Sequence, residues 1–163
     1  MNPIEYTHVI RRFCEKKIKF VVVGGFAAIA HGVVRVTMDL DLAISLKKDD
    51  LSLAWDVLNE LGFKVRQPIL REDFTNPKRL NDLMEEKNAQ AISFIHGKQS
   101  YLVIDILFNE ALKISDKHIT WIDLFGFTCP ILKIDKLIEL KNEAGRPKDV
   151  EDIRELKKIK KKK

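Results

Sequence analysis

The 163-residue chain is 45% hydrophobic, 33% charged and 8% aromatic, with 7 Gly and 5 Pro. That balance excludes fibrous and disordered classes and fits a single globular domain, 1–163, large enough to enclose a core without staples. The longest charge-free stretch, Phe20–Ala30, is too short and too broken by glycine to span a bilayer. No basic segment followed by an apolar run opens the chain, and Cys14 and Cys129 make neither a Cys-x-x-Cys pair nor a disulfide framework, so a reducing cytoplasm and no membrane partner are expected. The net charge of +5 is local. Residues 1–132 hold 17 basic and 17 acidic side chains, whereas residues 133–163 hold 12 and 7. Six of the residues 157–163 are lysines. Two readings of this tail stand: a solvated, frayed helix end suited to the negative pole of the helix dipole, or a contact with a phosphate backbone.

In chain order, residues 4–17 place Ile4, Ile10 and Cys14 at helical spacing. Lys19–Val23 is a β-branched run that ends at Gly24-Gly25, and the small apolar stretch Phe26–His31 follows, which predicts strand, glycine turn and short helix. Met38–Ser45 alternates carboxylates with apolar residues, as a second strand does. Asp49–Leu61 is a helix stopped by Gly62, and Phe63–Arg66 is a short strand. Residues 67–90 are polar and carry two prolines; they predict an excursion over the sheet in which Asn76-Pro77 caps a helix to about Lys87. Ala91–His96 and Tyr101–Phe108 form a hairpin through the four residues Gly97–Ser100, and Ile119–Leu124 is a further extended piece. The end is helical, with Ile134–Ala144 closing at Gly145 and a second helix opening at Pro147 and running over Val150–Ile159. The expected architecture is α/β (α+β): a mixed sheet within about 19–125, flanked by helices, with C-terminal helices over about 133–160.

The chemistry rests on three carboxylates. Asp39 and Asp41 lie two apart on a strand and therefore share a face. Such close like charges call for a proton or a cation between them, and a hard divalent ion such as Mg²⁺ suits carboxylate oxygen. Asp105 stands in Tyr-Leu-Val-Ile-Asp-Ile-Leu-Phe, which reads as a strand covered on both faces, where a lone carboxylate costs several kcal/mol. Either a structural Lys or Arg meets it, or it joins the same metal site. Three carboxylates around a pair of Mg²⁺ ions suit in-line phosphoryl or nucleotidyl transfer. Gly24-Gly25 exposes backbone N–H groups with no side chain in the way, a seat for phosphate. Neither a P-loop nor a dinucleotide fingerprint is present. His31, His96 and His118 have no partner at metal-ligand spacing, and Cys14 carries no nucleophile signature.

Val23-Gly24-Gly25, Ala28, His31-Gly32, and then Arg35-x-Thr37-x-Asp39-x-Asp41-Leu42 resemble the signature of the nucleotidyltransferase superfamily that includes DNA polymerase beta. Within it the likeness points to the small AbiEii-like toxins and minimal nucleotidyltransferases. Leu137-Ile138-x-x-Lys141, Ala144–Asp149 and Asp152 are similar to the C-terminal helical motif of the same group. The resemblance implies that Gly24 and Gly25 hold the triphosphate of an NTP, that Asp39 and Asp41 bind Mg²⁺, and that Asp105 is the third carboxylate and the base toward the acceptor hydroxyl. It implies that Lys141 approaches a nucleotide phosphate. Gly25 stands where the wider superfamily often has Ser, so backbone donors must suffice there. Arg35 and Thr37 either steady the carboxylates or touch phosphate. Arg146, Lys148, Asp149 and Asp152 are expected to form a salt-bridge set that fixes the last helix.

The expected activity is Mg²⁺-dependent transfer of a nucleoside monophosphate, with ATP among the candidate donors, to a hydroxyl of RNA or tRNA, a protein or a small molecule. Two rivals remain: a toxin–antitoxin module that uses the same fold to grip an antitoxin or helical partner, and an RNA-binding domain that uses the lysine tail.

Overall fold

A computed structural model of the chain describes residues 5–108, 113–124 and 126–163. Among the described residues, seven α-helices and seven strands, with a 3-10 turn at Asp116–His118, follow in the order α1 (Tyr6–Glu15), β1 (Phe20–Val22), α2 (Gly24–Ala30), β2 (Asp39–Ile44), α3 (Lys48–Glu60), β3 (Phe63–Val65), α4 (Arg71–Phe74), α5 (Pro77–Glu86), β4 (Ala91–His96), β5 (Val103–Leu107), β6 (Ile119–Leu124), β7 (Phe127–Leu132), α6 (Ile134–Ala144) and α7 (Asp149–Lys162). The strands make one mixed sheet in the order β3-β4-β5-β2-β1-β7-β6. The expected α+β architecture is what the chain adopts. Ile4, assigned to the first helix from its spacing, lies outside the described residues.

The centre of the sheet is built around β2. It pairs antiparallel with β1 (Val22↔Leu42) and parallel with β5 (Asp41↔Asp105). The hairpin β4–β5 continues the sheet on one side and β7 on the other. Helix α1 packs on α3 and β7, and α2 packs on β2, β7 and the two terminal helices. Buried Val22, Leu40, Leu42, Ile92, Phe94, Ile104 and Ile106 line the sheet interior.

The stretch 67–90 is polar in composition but anchors itself with few, large groups. Asn76 Oδ1 accepts from Lys78 N and Arg79 N at 3.1 Å each, with Pro77 in the first turn, so the predicted cap is formed. Phe74 is fully buried and meets Trp55, Phe94 and Phe108 in tilted or edge-to-face contacts, with centroids 5.2, 5.6 and 6.2 Å away. The four-residue α4 that positions it is too short to leave a periodic signal.

Three expectations need correction. The sheet does not stop near residue 125 but extends to Leu132, because β7 is an interior strand despite Pro130. Its ladder to β1 is registered only at Val22↔Ile131, so a missing N–H on that side removes little. Strand β5 is not covered on both faces: burial alternates along it, and Asp105 is half-buried. The lysine tail is not a frayed end, since α7 runs to Lys162. Ile159 is half-buried beside Gly32, and Lys160 Nζ lies 2.5 Å from Asp135 Oδ1.

Candidate active site

Strand register brings the carboxylates together. On parallel neighbours, Asp41 of β2 stands directly opposite Asp105 of β5, and Asp105 stands opposite Ser93 of β4. These three share a face with Asp39, two residues before Asp41. One carboxylate oxygen from each of Asp39, Asp41 and Asp105 lies within 4.8 Å of the other two, and all three residues are half-buried. Like charges directly opposite on paired strands destabilise a sheet. A hard cation among three carboxylate oxygens removes that cost, so the donor set fits Mg²⁺ and leaves room for phosphate oxygens in an octahedral shell.

Neighbouring hydroxyls orient two of the three. Ser93 Oγ donates to Asp105 Oδ1 at 2.5 Å. Thr37 Oγ1 lies 3.1 Å from Asp39 Oδ1 and 3.2 Å from Asp39 O, in position to donate to either. Thr37 therefore steadies a carboxylate. Ser93 and Tyr6 escape a motif reading. Tyr6 Oη donates to Met38 O at 2.7 Å and accepts from Val103 N at 3.0 Å, at the ends of the two strands that carry the cluster.

The glycine pair meets the cluster because β1 and β2 are antiparallel. Val23 N donates to Asp41 O at 3.0 Å, which places Gly24 against the Asp41 side chain. A Cβ on Gly24 would stand 1.9 Å from Asp41 Oδ2, and the residue has φ +63°. Both space and backbone conformation demand glycine here. Gly25 is close in its turn to Thr37 and Arg35, its would-be Cβ being 2.8 Å from Thr37 Oγ1 and 3.3 Å from Arg35 Cζ. Gly24→Ala is expected to cost about 1–2 kcal/mol from the backbone alone and to displace the Asp41 carboxylate, so that a divalent-ion titration shows weakened binding together with a lowered melting temperature.

Arg35 and Lys141 are placed differently from the carboxylates. The Arg35 guanidinium donates to Asp152 Oδ2 from α7. Lys141 is 4% exposed, and its Nζ donates to Asp149 Oδ1 at 2.7 Å and Asp152 Oδ2 at 2.8 Å. Arg146 Nε donates to Asp149 Oδ2 at 2.7 Å. Of the expected salt-bridge set, Arg146, Asp149 and Asp152 are joined, with Lys141 and Arg35 as further members, whereas Lys148 stands at the N-cap of α7 and makes no ion pair among the described residues. Burial raises the Asp149 carboxyl, but the hydrogen bonds from Lys141 and Arg146 outweigh it and hold the group below its ordinary range. The network runs from the terminal helices through Arg35 to the glycine turn.

The thiols are inert by comparison. Burial pushes Cys129 up to about 11, with smaller contributions from Cys14 and Asp123. His31 Nε2 lies 2.7 Å from Leu132 O, and its pKa is lowered by burial. On the solvent side of the segment leading into β2, Val34, Val36 and Met38 are 100, 80 and 69% exposed, alternating with Arg35 and Thr37. Among the described residues no helix is long and apolar enough to cross a membrane.

No family model matches the sequence, and neither does any curated protein. Solved structures do. The lincosamide antibiotic adenylyltransferase LnuA, lincomycin-bound, superposes with a TM-score of 0.64 at 13% identity, covering 97% of this chain and 99% of its own. ANT(2'')-Ia in complex with adenylyl-2''-tobramycin gives 0.62 at 13% identity, covering 93% and 88%. An antigenic nucleotidyltransferase-like protein from Paracoccidioides brasiliensis gives 0.56 at 12% identity, covering 97% and 78%. At such identities a likeness establishes architecture, and with the helix and strand order above it shows that this chain has the nucleotidyltransferase fold.

Proposed function

We propose that the protein is a nucleotidyltransferase that moves a nucleoside monophosphate from an NTP to an acceptor hydroxyl and releases pyrophosphate. The observation that carries this reading is the Asp41–Asp105 register pair, joined by Asp39 and abutted by the Gly24 backbone. Asp39, Asp41 and Asp105 would hold Mg²⁺, which when bound offsets the charge that accumulates on the phosphates during transfer. The Gly24 and Gly25 backbone supplies N–H donors to the triphosphate, close to the cluster. Asp105 takes the proton of the acceptor hydroxyl as its oxygen attacks the α-phosphorus and the bond to the β-phosphate oxygen breaks. Ser93 fixes the orientation of that carboxylate by donating to Oδ1. Arg35, anchored on Asp152, lies beside Gly25 and adds positive charge next to the phosphates. Lys141 acts at one remove, by holding Asp152 and so Arg35.

The neighbours' antibiotic ligands make a small-molecule acceptor one candidate, alongside RNA and protein hydroxyls. The test is incubation of the chain with each α-labelled NTP, Mg²⁺ and cell extract, followed by separation of RNA, protein and small molecules. Label is expected in one fraction, lost with EDTA and restored by excess Mg²⁺. Transfer that persists unchanged in EDTA, or label in no fraction with any NTP, defeats the assignment.

A further inference from the structure

Tyr6 opens α1, far in sequence from every aspartate of the site, yet its hydroxyl bridges the two strands that carry them. Met38, whose carbonyl accepts from Tyr6 Oη, immediately precedes Asp39. Val103, whose N–H donates to Tyr6 Oη, is the register partner of Asp39 and lies two residues before Asp105. The registered β2–β5 ladder begins at Asp39↔Val103, so the phenol adds a bridge at the end of the ladder where the strands enter the site. Its ring stands edge-on to Phe26 of α2, with centroids 6.4 Å apart and planes at 90°, just after Gly24-Gly25. The half-buried side chain thus contacts the Asp39/Asp41 strand, the Asp105 strand and the glycine helix.

We propose that Tyr6 is a positioning residue whose hydroxyl sets the separation of β2 and β5 at their site ends, and with it the spacing of the Asp39, Asp41 and Asp105 oxygens that would hold a divalent ion. The proposal rests on the reading of that cluster as a cation site. Three carboxylates this close repel one another, and the force falls on the first three registered pairs of the ladder, from Asp39↔Val103 to Asp41↔Asp105, the outermost of which the Tyr6 hydroxyl bridges. Mg²⁺ needs near-octahedral geometry at about 2.0–2.1 Å and tolerates little drift of its ligands. Burial raises the phenol above its ordinary 10.0 by more than the Val103 N–H bond lowers it, so the proton donated to Met38 O is retained.

The experiment uses the full chain with Mn²⁺ alone, followed by electron paramagnetic resonance. Tyr6→Phe keeps the ring on Phe26 and removes only the bridge. Its Mn²⁺ dissociation constant is expected to rise about tenfold, the scale of losing an outer-shell partner. Nucleotidyl transfer should then need more Mg²⁺ but recover its maximal rate at saturation. Val9→Ala, which loosens the fully buried face of α1, is expected to lower the melting temperature and leave Mn²⁺ affinity at the wild-type value. In the wild-type chain, amide exchange at Val103 should slow when Mn²⁺ is added. Wild-type affinity in Tyr6→Phe overturns the proposal, as does an equal loss in Val9→Ala or Val103 exchange indifferent to Mn²⁺. Asp41→Asn separates the two levels. If it binds Mn²⁺ as the wild type does, the cation reading falls and Tyr6 with it; if it alone loses Mn²⁺, only the role of Tyr6 falls.

Discussion

Asp41→Asn should lower nucleotidyl transfer by about a thousandfold, roughly 4 kcal/mol of transition-state stabilisation, with the melting temperature little changed. The amide fills the same space beside Gly24 and leaves the Val23 N–Asp41 O backbone bond in place. What it removes is one negative charge from a row in which Asp41 and Asp105 face each other across a parallel pair. Relief of that repulsion offsets part of any lost contact in the free protein. On the proposed function, the loss appears once metal and nucleotide are bound, where two carboxylates would do the work of three. Label transfer measured beside a thermal melt checks both halves. Turnover at the wild-type rate would move the chemistry away from this cluster.

Lys141→Met should destabilise the fold by about 3 kcal/mol, because removing one partner of a buried ion pair strands charge that its neighbours must carry. For a chain of this length that lowers the melting temperature by about 6–12 °C. Methionine approximates the lysine stem, so the loss is electrostatic and not a cavity. Asp149 and Asp152 are 1% and 4% exposed, and each keeps one arginine partner, Arg146 and Arg35 respectively. This places the expected effect at the lower end of the range for broken buried pairs. The sign of the acid dependence follows. Asp149 is held below its ordinary value near 3.8, so its contribution is complete above that value and is lost as pH falls through the lower, folded one. Without Lys141 the downward pull weakens, and acid unfolding should begin at a higher pH. Thermal melts at neutral pH and an acid titration followed by circular dichroism measure both. A wild-type melt combined with a raised KM for NTP would instead make Lys141 a nucleotide contact.

The hairpin shows why side-chain partners were harder to read than elements. Both strands were legible from their β-rich runs, but a four-residue turn over Gly97–Ser100 pairs His96 with Tyr101. The observed pairs run from Ala91↔Leu107 to Ile95↔Val103, and His96 N donates to Leu102 O at 3.1 Å. The connection is one residue longer because His96 Nδ1 accepts from both Lys98 N and Gln99 N and holds the loop open. One residue of slip turns a strand over. Only the observed register sets Ser93 opposite Asp105. Tyr6 left no trace at all, since its two hydrogen bonds join residues 32 and 97 positions away. The interior strand β7 falls between the extended piece Ile119–Leu124 and the helix Ile134–Ala144, where no element was expected, and it tolerates Pro130 because its ladder to β1 is short.

Local spacing determined a good deal. A glycine pair after a β-branched run, Asp-x-Asp on an alternating strand, a capped helix at Asn76-Pro77 and a glycine stop at Gly145 are all features of neighbouring residues, and each appears where its chemistry requires. The +5 charge resolved likewise into a local property of the terminal helices. Tertiary structure decided which of these features meet. Sheet order and register set Asp41 beside Asp105 and Gly24 against Asp41, while the packing of α6 on α7 carried Lys141 into a buried salt-bridge network with Asp149 and Asp152. The division has a physical cause. Periodicity and capping are energies of residues a few positions apart, whereas register and ion pairing are settled only after the chain has closed long loops and found which charges remain buried together.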